Sequence, residues 1–130
     1  MKFNFGGASK YGNKKVEVDG IIFDSKKESN IYLDLKAKKA SGEIKDFSMQ
    51  VPFELIPNQK ELKTVFDKKG RPVNKEKVVE LAVKYVADFV VYDNDGEVTV
   101  VDAKGFKGNQ AWIIKRKLLR HVHKLAIQTV

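Results

Sequence analysis

The stretch that decides the fold is residues 85–105, which read YVADFVVYDNDGEVTVVDAKG. β-Branched and aromatic residues dominate both halves, and Asp, Asn and Gly fill the connector at residues 93–96. This pattern is typical of two antiparallel strands joined by a tight turn. Three charges interrupt the apolar runs, at Asp88, Asp102 and Lys104. Because a buried charge is costly unless it is paired or binds a metal, these side chains indicate a functional site.

Strand geometry predicts how these charges are arranged. Asp102 and Lys104 are two residues apart, so they are expected on the same face of their strand. An antiparallel hairpin brings Asp88 beside them if its inward face is the matching one. Two carboxylates and one amine would then meet at one patch, as Mg²⁺-dependent phosphodiester cleavage requires. A plain ion pair between Asp102 and Lys104 is the alternative, but it leaves Asp88 unexplained.

Composition narrows the class of protein. Residues 1–130 suit a single domain, and a hydrophobic content of 42% argues against disorder. The chain has no cysteine and only two histidines, which excludes disulfides, cysteine-ligated zinc and a histidine-only zinc site. No membrane span or signal-peptide core is visible, so a cytoplasmic location is expected. The net charge of +8 favours nucleic acid as partner, with a Lys-rich protein that binds no polyanion as the alternative.

The residues before the deciding stretch predict a loose arm at 1–13, a β-hairpin at 14–23 and then a helix. Ser25 and Glu28 have capping-box spacing, and Gly42 supplies the stop after about residue 40. The inward stripe of this helix contains Ile31, Tyr32 and Leu35. Glu28 heads the same stripe, so it is expected to face the sheet. The alternative role of Glu28 is to cap the helix.

The middle of the chain predicts less regular structure. Residues 43–56 form one long strand, or two short strands broken at Pro52. Gln50 is a polar residue within this segment. It is expected either to contact the active site or DNA, or to form a hydrogen bond with the backbone at a strand end. Residues 57–79 are polar and carry a turn around Gly70, so we predict a basic loop. Such a loop either grips phosphates or is simply solvated.

The C-terminal part predicts a helix and a closing strand. Asn109 is a suitable N-cap for a helix at about residues 110–123, and residues 125–130 alternate weakly. The apolar face of this helix is expected to contain Ala111, Ile114, Leu118 and Val122. The whole chain therefore predicts an α/β or α+β fold. After an N-terminal hairpin, a mixed central sheet is flanked by helices in the order α-β-β-β-α-β.

This arrangement resembles the PD-(D/E)XK superfamily of nucleases, which has a restriction-endonuclease-like core. Asp88, thirteen intervening positions and Asp102-Ala103-Lys104 carry the resemblance, with Glu28 on the preceding helix. Ala87 stands where the superfamily name implies proline, but the carboxylate performs the chemistry. More narrowly, the segments SKYGN (9–13), FDSKKE (23–28), YVADF (85–89) and VDAKGF (101–106) resemble a family of short phage and prophage proteins largely of unknown function.

The resemblance implies a mechanism and a set of metal ligands. Asp88 and Asp102 would hold one or two Mg²⁺ ions, with Mn²⁺ as a substitute. The Ala103 backbone carbonyl and Glu28 would complete the site, Glu28 either directly or through water. Lys104 would orient or deprotonate the attacking water, or offset charge on the phosphate. Residues expected to contact DNA are Lys107, Lys115, Arg116, Lys117 and Arg120.

The same resemblance implies the substrate and the assembly. Analogy with small phage resolvases suggests branched or structured DNA, such as a Holliday junction, in the cytoplasm of a bacterial host. Cutting two strands would require a homodimer, for which the N-terminal hairpin is one contact. A site-specific or nonspecific nuclease is the alternative within the enzyme class. A non-catalytic DNA-binding module that retains the fold is the alternative outside it.

Overall fold

A computed structural model describes residues 14–103 and 109–130; the predicted loose arm at 1–13 lies outside this range. The described chain contains two helices and eight strands, and it confirms the α+β class with a mixed central sheet and an N-terminal hairpin. In chain order the elements are β1 (Val16–Val18), β2 (Ile21–Phe23), α1 (Lys26–Ser41), β3 (Asp46–Ile56), β4 (Gln59–Phe66), β5 (Pro72–Glu80), β6 (Val83–Tyr92), β7 (Val98–Asp102), α2 (Gln110–His123) and β8 (Ile127–Thr129).

The central sheet has the strand order β3-β6-β7-β8. Each of the first three strands is antiparallel to its neighbour. For β6 and β7 the reason is the short turn that joins them, which contains Gly96. β8 runs parallel to β7. Helix α2 lies between these strands in the chain and carries the chain back to the end of the sheet where β7 begins, so that β8 can run in the same direction. With the β4–β5 pair set aside, the order of elements after the first hairpin is α-β-β-β-α-β, as expected.

Both helices begin at the predicted caps. The Ser25 side chain accepts a hydrogen bond from the backbone N–H of Glu28, and Asn109 accepts one from that of Trp112. Helix α1 ends at Gly42, whose φ of 82° lies in the left-handed region that glycine adopts without strain. The caps matter here because they set where Glu28 and Trp112 enter the interior.

The sheet separates two apolar cores. One, the α1 cluster, consists of Phe23, Tyr32, Leu35, Ile44, Phe89, Val91 and Val101. The other, the α2 cluster, consists of Leu55, Tyr85, Ala87, Val90, Val100 and Leu119. Strands β6 and β7 contribute to both clusters, so they are covered on both faces, which is why they are apolar runs rather than alternating ones.

For the middle of the chain, one expectation is wrong, and the structure decides between the two alternatives of another. The loop predicted for residues 57–79 is wrong: β4 and β5 pair along their length as an antiparallel hairpin, with the expected turn at Gly70. Residues 46–56 form one strand rather than two, and Pro52 lies in it opposite Val86. Proline is tolerated there because β3 is an edge strand of the central sheet.

The inward face of α2 also differs from the prediction. Ile114 and Val122 are exposed, whereas Leu119 is fully buried. The burial pattern places Trp112 and Lys115 in partly buried positions on the side of Leu119. The helix is therefore rotated relative to the predicted stripe, because the large indole of Trp112 and not the small Ala111 is turned toward the sheet.

Candidate active site

Asp88 lies where the ladder between β3 and β6 is interrupted. The strands pair at Met49 and again at Val51, but Gln50, which would face Asp88, has no partner in the ladder. Gln50 has a φ of 52°, a left-handed conformation that is uncommon for a residue other than glycine. Such a conformation inside a strand, away from a turn or helix cap, is the kind of backbone strain that clusters at functional sites.

Both strands change faces at this interruption. Met49 packs against the α1 cluster and Val51 against the α2 cluster, although residues two apart share one face of a regular strand. On β6, Ala87 belongs to the α2 cluster and Phe89 to the α1 cluster. Asp88 therefore lies at the crossing point between the two cores, where a regular sheet would have placed a buried apolar residue.

Asp88 is fastened to the end of β7. Its Oδ2 accepts a hydrogen bond of 3.0 Å from the backbone N–H of Ala103. The antiparallel register pairs Phe89 with Val101, and its continuation by one residue sets Asp88 opposite Asp102. The predicted approach of these two strand segments is therefore confirmed, and an amide from the Asp102-Ala103 peptide joins them.

Asp102 is buried, with 7% of its surface exposed, and its Oδ2 accepts a hydrogen bond of 2.8 Å from the Tyr85 hydroxyl. The indole Nε1 of Trp112 lies 3.4 Å from the same oxygen, which is long for a hydrogen bond. Burial, followed by the charge of Asp102, its hydrogen bond and the charge of Asp88, raises the pKa of Tyr85 well above its ordinary value. The Tyr85 hydroxyl therefore stays protonated at neutral pH and donates a hydrogen bond to Asp102.

Glu28 enters the site from α1. Its side chain is almost completely buried, with 3% exposed, as the predicted inward stripe requires. Glu28 and Asp88 line one pocket of about 160 Å³, together with Asp24 and Gln50. The remaining lining residues are Ile21, Ile22, Phe23, Met49 and Phe89. Asp102 is not among the residues that line this pocket. It is linked to the pocket through the next residue, because the backbone N–H of Ala103 donates to Asp88.

The donor set fits a hard divalent cation in type, because it consists of carboxylate and amide oxygens. Across residues 14–103 and 109–130, no group of three or more His, Cys, Asp or Glu side chains is close enough to hold a metal ion together. Glu28, Asp88 and Asp102 each have interaction partners beyond those named here. The described residues therefore provide neighbouring carboxylates, but not a set of three or more that surrounds a metal ion.

The predicted basic residues divide into three groups. Lys104 and Lys107 lie outside the described residues. Arg116, Lys117 and Arg120 line a second pocket of about 340 Å³ between α2 and β8, with Ala126 and Ile127. Lys115 is partly buried instead. The Arg116 guanidinium lies 5.4 Å from the centre of the Trp112 ring, so a cation–π contact links the basic pocket to the neighbour of Asp102.

Two site residues, Asp24 and Tyr85, did not follow from the sequence, and Gln50 was predicted with two alternative roles. Asp24 lines the carboxylate pocket and had no assigned role, although its position just before the Ser25 cap placed it beside Glu28. Gln50 lines the same pocket, which favours the first of its two predicted roles. Tyr85 was treated only as a strand residue; its hydroxyl, seventeen positions before Asp102, carried no local signal.

Comparison with known proteins gives a family but no activity. The family model described as "Protein of unknown function (DUF1064)" matches residues 8–128. No curated protein and no solved structure matches the chain. Neither of the two described helices has the length and apolar character needed to cross a membrane.

Proposed function

We propose that the chain, which belongs to the DUF1064 family of proteins of unknown function, is a Mg²⁺-dependent endodeoxyribonuclease that hydrolyses phosphodiester bonds in branched or structured DNA. The observation that carries this proposal is the pocket shared by Glu28 and Asp88 at the crossing point of the strands. The buried carboxylate of Asp102 lies one peptide away from the amide that holds Asp88. With the β4–β5 pair set aside, the order α-β-β-β-α-β around this point supports the same conclusion.

The chemistry of Mg²⁺ is compatible with this carboxylate arrangement. Mg²⁺ keeps several of its waters and is commonly bound by only one or two carboxylates plus substrate phosphates, so a closed group of three acids is not required. Asp88 and Glu28 would be the ligands on the pocket side, and Asp102 with the Ala103 carbonyl those on the strand end. When bound, the ion would polarise the scissile phosphate and lower the pKa of a bound water.

The chain's own groups would set the electrostatics around the ion. Tyr85 holds Asp102 in one orientation through its hydroxyl, and the Ala103 amide does the same for Asp88. Lys104 follows Ala103 directly in the sequence. Its ammonium group would orient or deprotonate the attacking water, or offset the charge that develops on the phosphate.

The DNA itself would be held by positive charge. The pocket of Arg116, Lys117 and Arg120 lies on the helix whose Trp112 contacts Asp102, so phosphates bound there would lead toward the carboxylates. Lys107 and Lys115 are further candidates from the sequence. A homodimer would allow both strands of a junction to be cut, and such a substrate would be met in the cytoplasm of a bacterial host. A site-specific or nonspecific nuclease remains the alternative within the same chemistry.

A non-catalytic DNA-binding module is the second candidate. Within the described part of the chain, the lack of a group of three or more potential metal ligands favours it. The two candidates differ in one property that can be measured directly. A nuclease cuts DNA and needs a divalent cation to do so, whereas a binding module holds DNA equally well without the cation and never nicks it.

The test compares Asp88→Asn with Asp95→Asn, a variant with the same change of charge in the exposed turn of the same hairpin. Four-way junction, flap, duplex and single-stranded DNA are incubated with Mg²⁺ or Mn²⁺. Asn retains an oxygen that can accept the Ala103 N–H, so Asp88→Asn is expected to fold. It should cut on the order of 10³-fold more slowly because it loses a ligand charge, while Asp95→Asn cuts normally. Calorimetric titration with Mn²⁺ should show weaker binding in the first variant only.

Two results would contradict the proposal. If Asp88→Asn cuts as fast as the wild-type protein, the pocket is not the site of chemistry. If the wild-type protein binds all four DNA forms and cuts none of them with either cation, the binding module is correct. Lys104→Ala tests the role of the lysine separately, and an unchanged cutting rate would remove that residue from the mechanism.

A further inference from the structure

The β4–β5 hairpin forms a sheet of its own that is not part of the central sheet. In the described structure its substantial contacts are those between its own two strands. A two-stranded hairpin is at best marginally stable in water when it packs on nothing else. Packing within the described part of the chain therefore does not account for this arm, and its surface has to be considered as a binding element.

The strand register gives the arm two different faces. Residues directly opposite each other in an antiparallel pair share a face, and Lys63 lies opposite Lys75. Lys77, two residues further along β5, points to the same side. Like charges placed directly opposite each other destabilise a hairpin unless an anion lies between or beside them. The lysine face therefore has an unfavourable arrangement that a bound polyanion would make favourable.

The acidic residues of the arm neutralise this face only in part. Glu61 lies on it, directly opposite Lys77, but within the described chain it forms no salt bridge, so three lysines share the face with one glutamate. Glu76 lies on the other side and forms a salt bridge with Lys60. Asp67 is used in the turn, where it accepts hydrogen bonds from the backbone N–H groups of Lys69 and Arg71 and from the Arg71 side chain. Within the described chain, seven charged residues of the arm make no salt bridge. Two are the acids Glu61 and Glu80, and five are the lysines Lys63, Lys68, Lys69, Lys75 and Lys77.

We infer that the β4–β5 hairpin is a DNA-binding arm, which lies along a groove of double-stranded DNA with Lys63, Lys75 and Lys77 against phosphates and the turn lysines at its leading end. Strands of eight and nine residues extend for roughly 27 Å, which is most of one helical turn of DNA. A two-stranded ribbon fits the major groove, about 12 Å wide. Contacts to phosphates carry no sequence information, so the arm would position the chain without selecting a sequence.

This inference depends on the proposed function only in taking DNA as the polyanion; it requires no cleavage. The opposite face of the arm carries Leu62 and Phe66, which are 73% and 70% exposed. A second copy of the chain is the other occupant that such a face would suit. The excess of three lysines over one glutamate on the first face favours DNA, and the test below separates the two.

The test measures binding of a 30-base-pair duplex and of a four-way junction by fluorescence anisotropy, in EDTA, over a series of salt concentrations. The full chain carries Lys63→Thr, Lys75→Thr and Lys77→Thr together, since threonine suits a strand. The control carries Lys36→Ala, Lys38→Ala and Lys39→Ala on α1, which removes the same charge elsewhere. Each lost phosphate contact lowers the slope of log K against log salt by about 0.9. The arm variant should bind at least ~10-fold more weakly with a slope smaller by roughly 3, and the control should keep the slope.

An arm variant that binds like the wild-type protein with an unchanged salt slope would overturn the inference. It would also be overturned if the control loses as much as the arm variant, because net charge alone would then explain binding. Leu62→Thr with Phe66→Thr, analysed by light scattering, tests the second copy: conversion of a dimer to a monomer with normal DNA binding by the lysine variant would assign the arm to dimerisation. Because the assay contains no metal, loss of binding supports the arm even if the protein cuts no DNA.

Discussion

The chain contains two antiparallel hairpins in opposite surroundings. β6 and β7 are covered on both faces, by the α1 cluster and by the α2 cluster. β4 and β5 have almost every side chain exposed, and among the described strands they pair only with each other. The local hydrogen-bond pattern is the same in both, so the pattern of burial and not the strand geometry decides what each hairpin contributes.

This difference changes the meaning of a charged residue. In the covered hairpin, Asp88 and Asp102 interrupt apolar runs of sequence and each accepts a hydrogen bond, so each one needs a specific explanation. In the exposed hairpin, charges are frequent and individually cheap, and only their arrangement on one face carries information. A buried charge is therefore evidence about a site, and an exposed group of charges is evidence about a surface.

The largest expected effect compares equivalent truncations in the two hairpins. Phe89→Ala removes a ring that is 2% exposed and should lower the free energy of unfolding by about 3–5 kcal/mol. Phe66→Ala should change it by less than about 0.5 kcal/mol. Urea denaturation followed by Trp112 fluorescence measures both values. A loss of more than about 1 kcal/mol in Phe66→Ala would mean that the arm is packed and would end the comparison.

A smaller effect is expected when one hydrogen bond is removed from each hairpin. Tyr85→Phe deletes the bond to the buried carboxylate of Asp102 and should cost about 1.5–3 kcal/mol, whereas Thr64→Val deletes an exposed bond to Asn74 and should cost under about 0.5 kcal/mol. The folded state raises the pKa of Tyr85, so its contribution is complete below the unfolded value near 10 and declines as the pH rises above it.

Denaturation between pH 8 and 11 measures this decline. It should be less steep in Tyr85→Phe than in the wild-type protein, and an equal decline in both would show that the phenol is not held by Asp102. Thr64→Val serves as the control, because it leaves every titrating group in place.

The smallest effect concerns the irregular position beside the covered hairpin. Gln50 has a positive φ, whereas in the described part of the exposed hairpin only Gly70 in the turn does. Gln50→Gly should therefore raise the free energy of unfolding by about 0.5 kcal/mol, since glycine accepts this conformation but loses more freedom on folding. Chemical denaturation resolves such a change. A loss of stability instead would show that the Gln50 side chain supports the pocket.

The order of the elements could be predicted because local signals agreed with tertiary packing. The capping residues Ser25 and Asn109, the stop at Gly42 and the turn at residues 93–96 each act within a few residues, and all are found as expected. The β4–β5 hairpin was missed because neither strand buries a face, so its lysines resembled those of a loop. The face of α2 was missed in part because Trp112 and Leu119, rather than Ala111, Ile114 and Val122, are turned toward the sheet.

The candidate site was predictable in part for similar reasons. Helical periodicity indicated that Glu28 faces inward, and antiparallel register indicated that Asp88 approaches Asp102. The left-handed backbone of Gln50 and the bond from Tyr85 to Asp102 depend on residues far apart in the chain. Such features follow from the packing of the whole sheet and have no signature in a short segment.

The interrupted edge strand has a consequence for how copies of this protein meet. An open strand edge invites another chain to extend the sheet, which is a common route to aggregation. β3 has Pro52, which lacks a backbone donor, and at Gln50 it departs from extended geometry. The opposite edge is β8, which is only three residues long. Both borders of the central sheet are therefore poor templates for a further strand, so a dimer of this chain would have to join through side chains rather than through a continuous sheet.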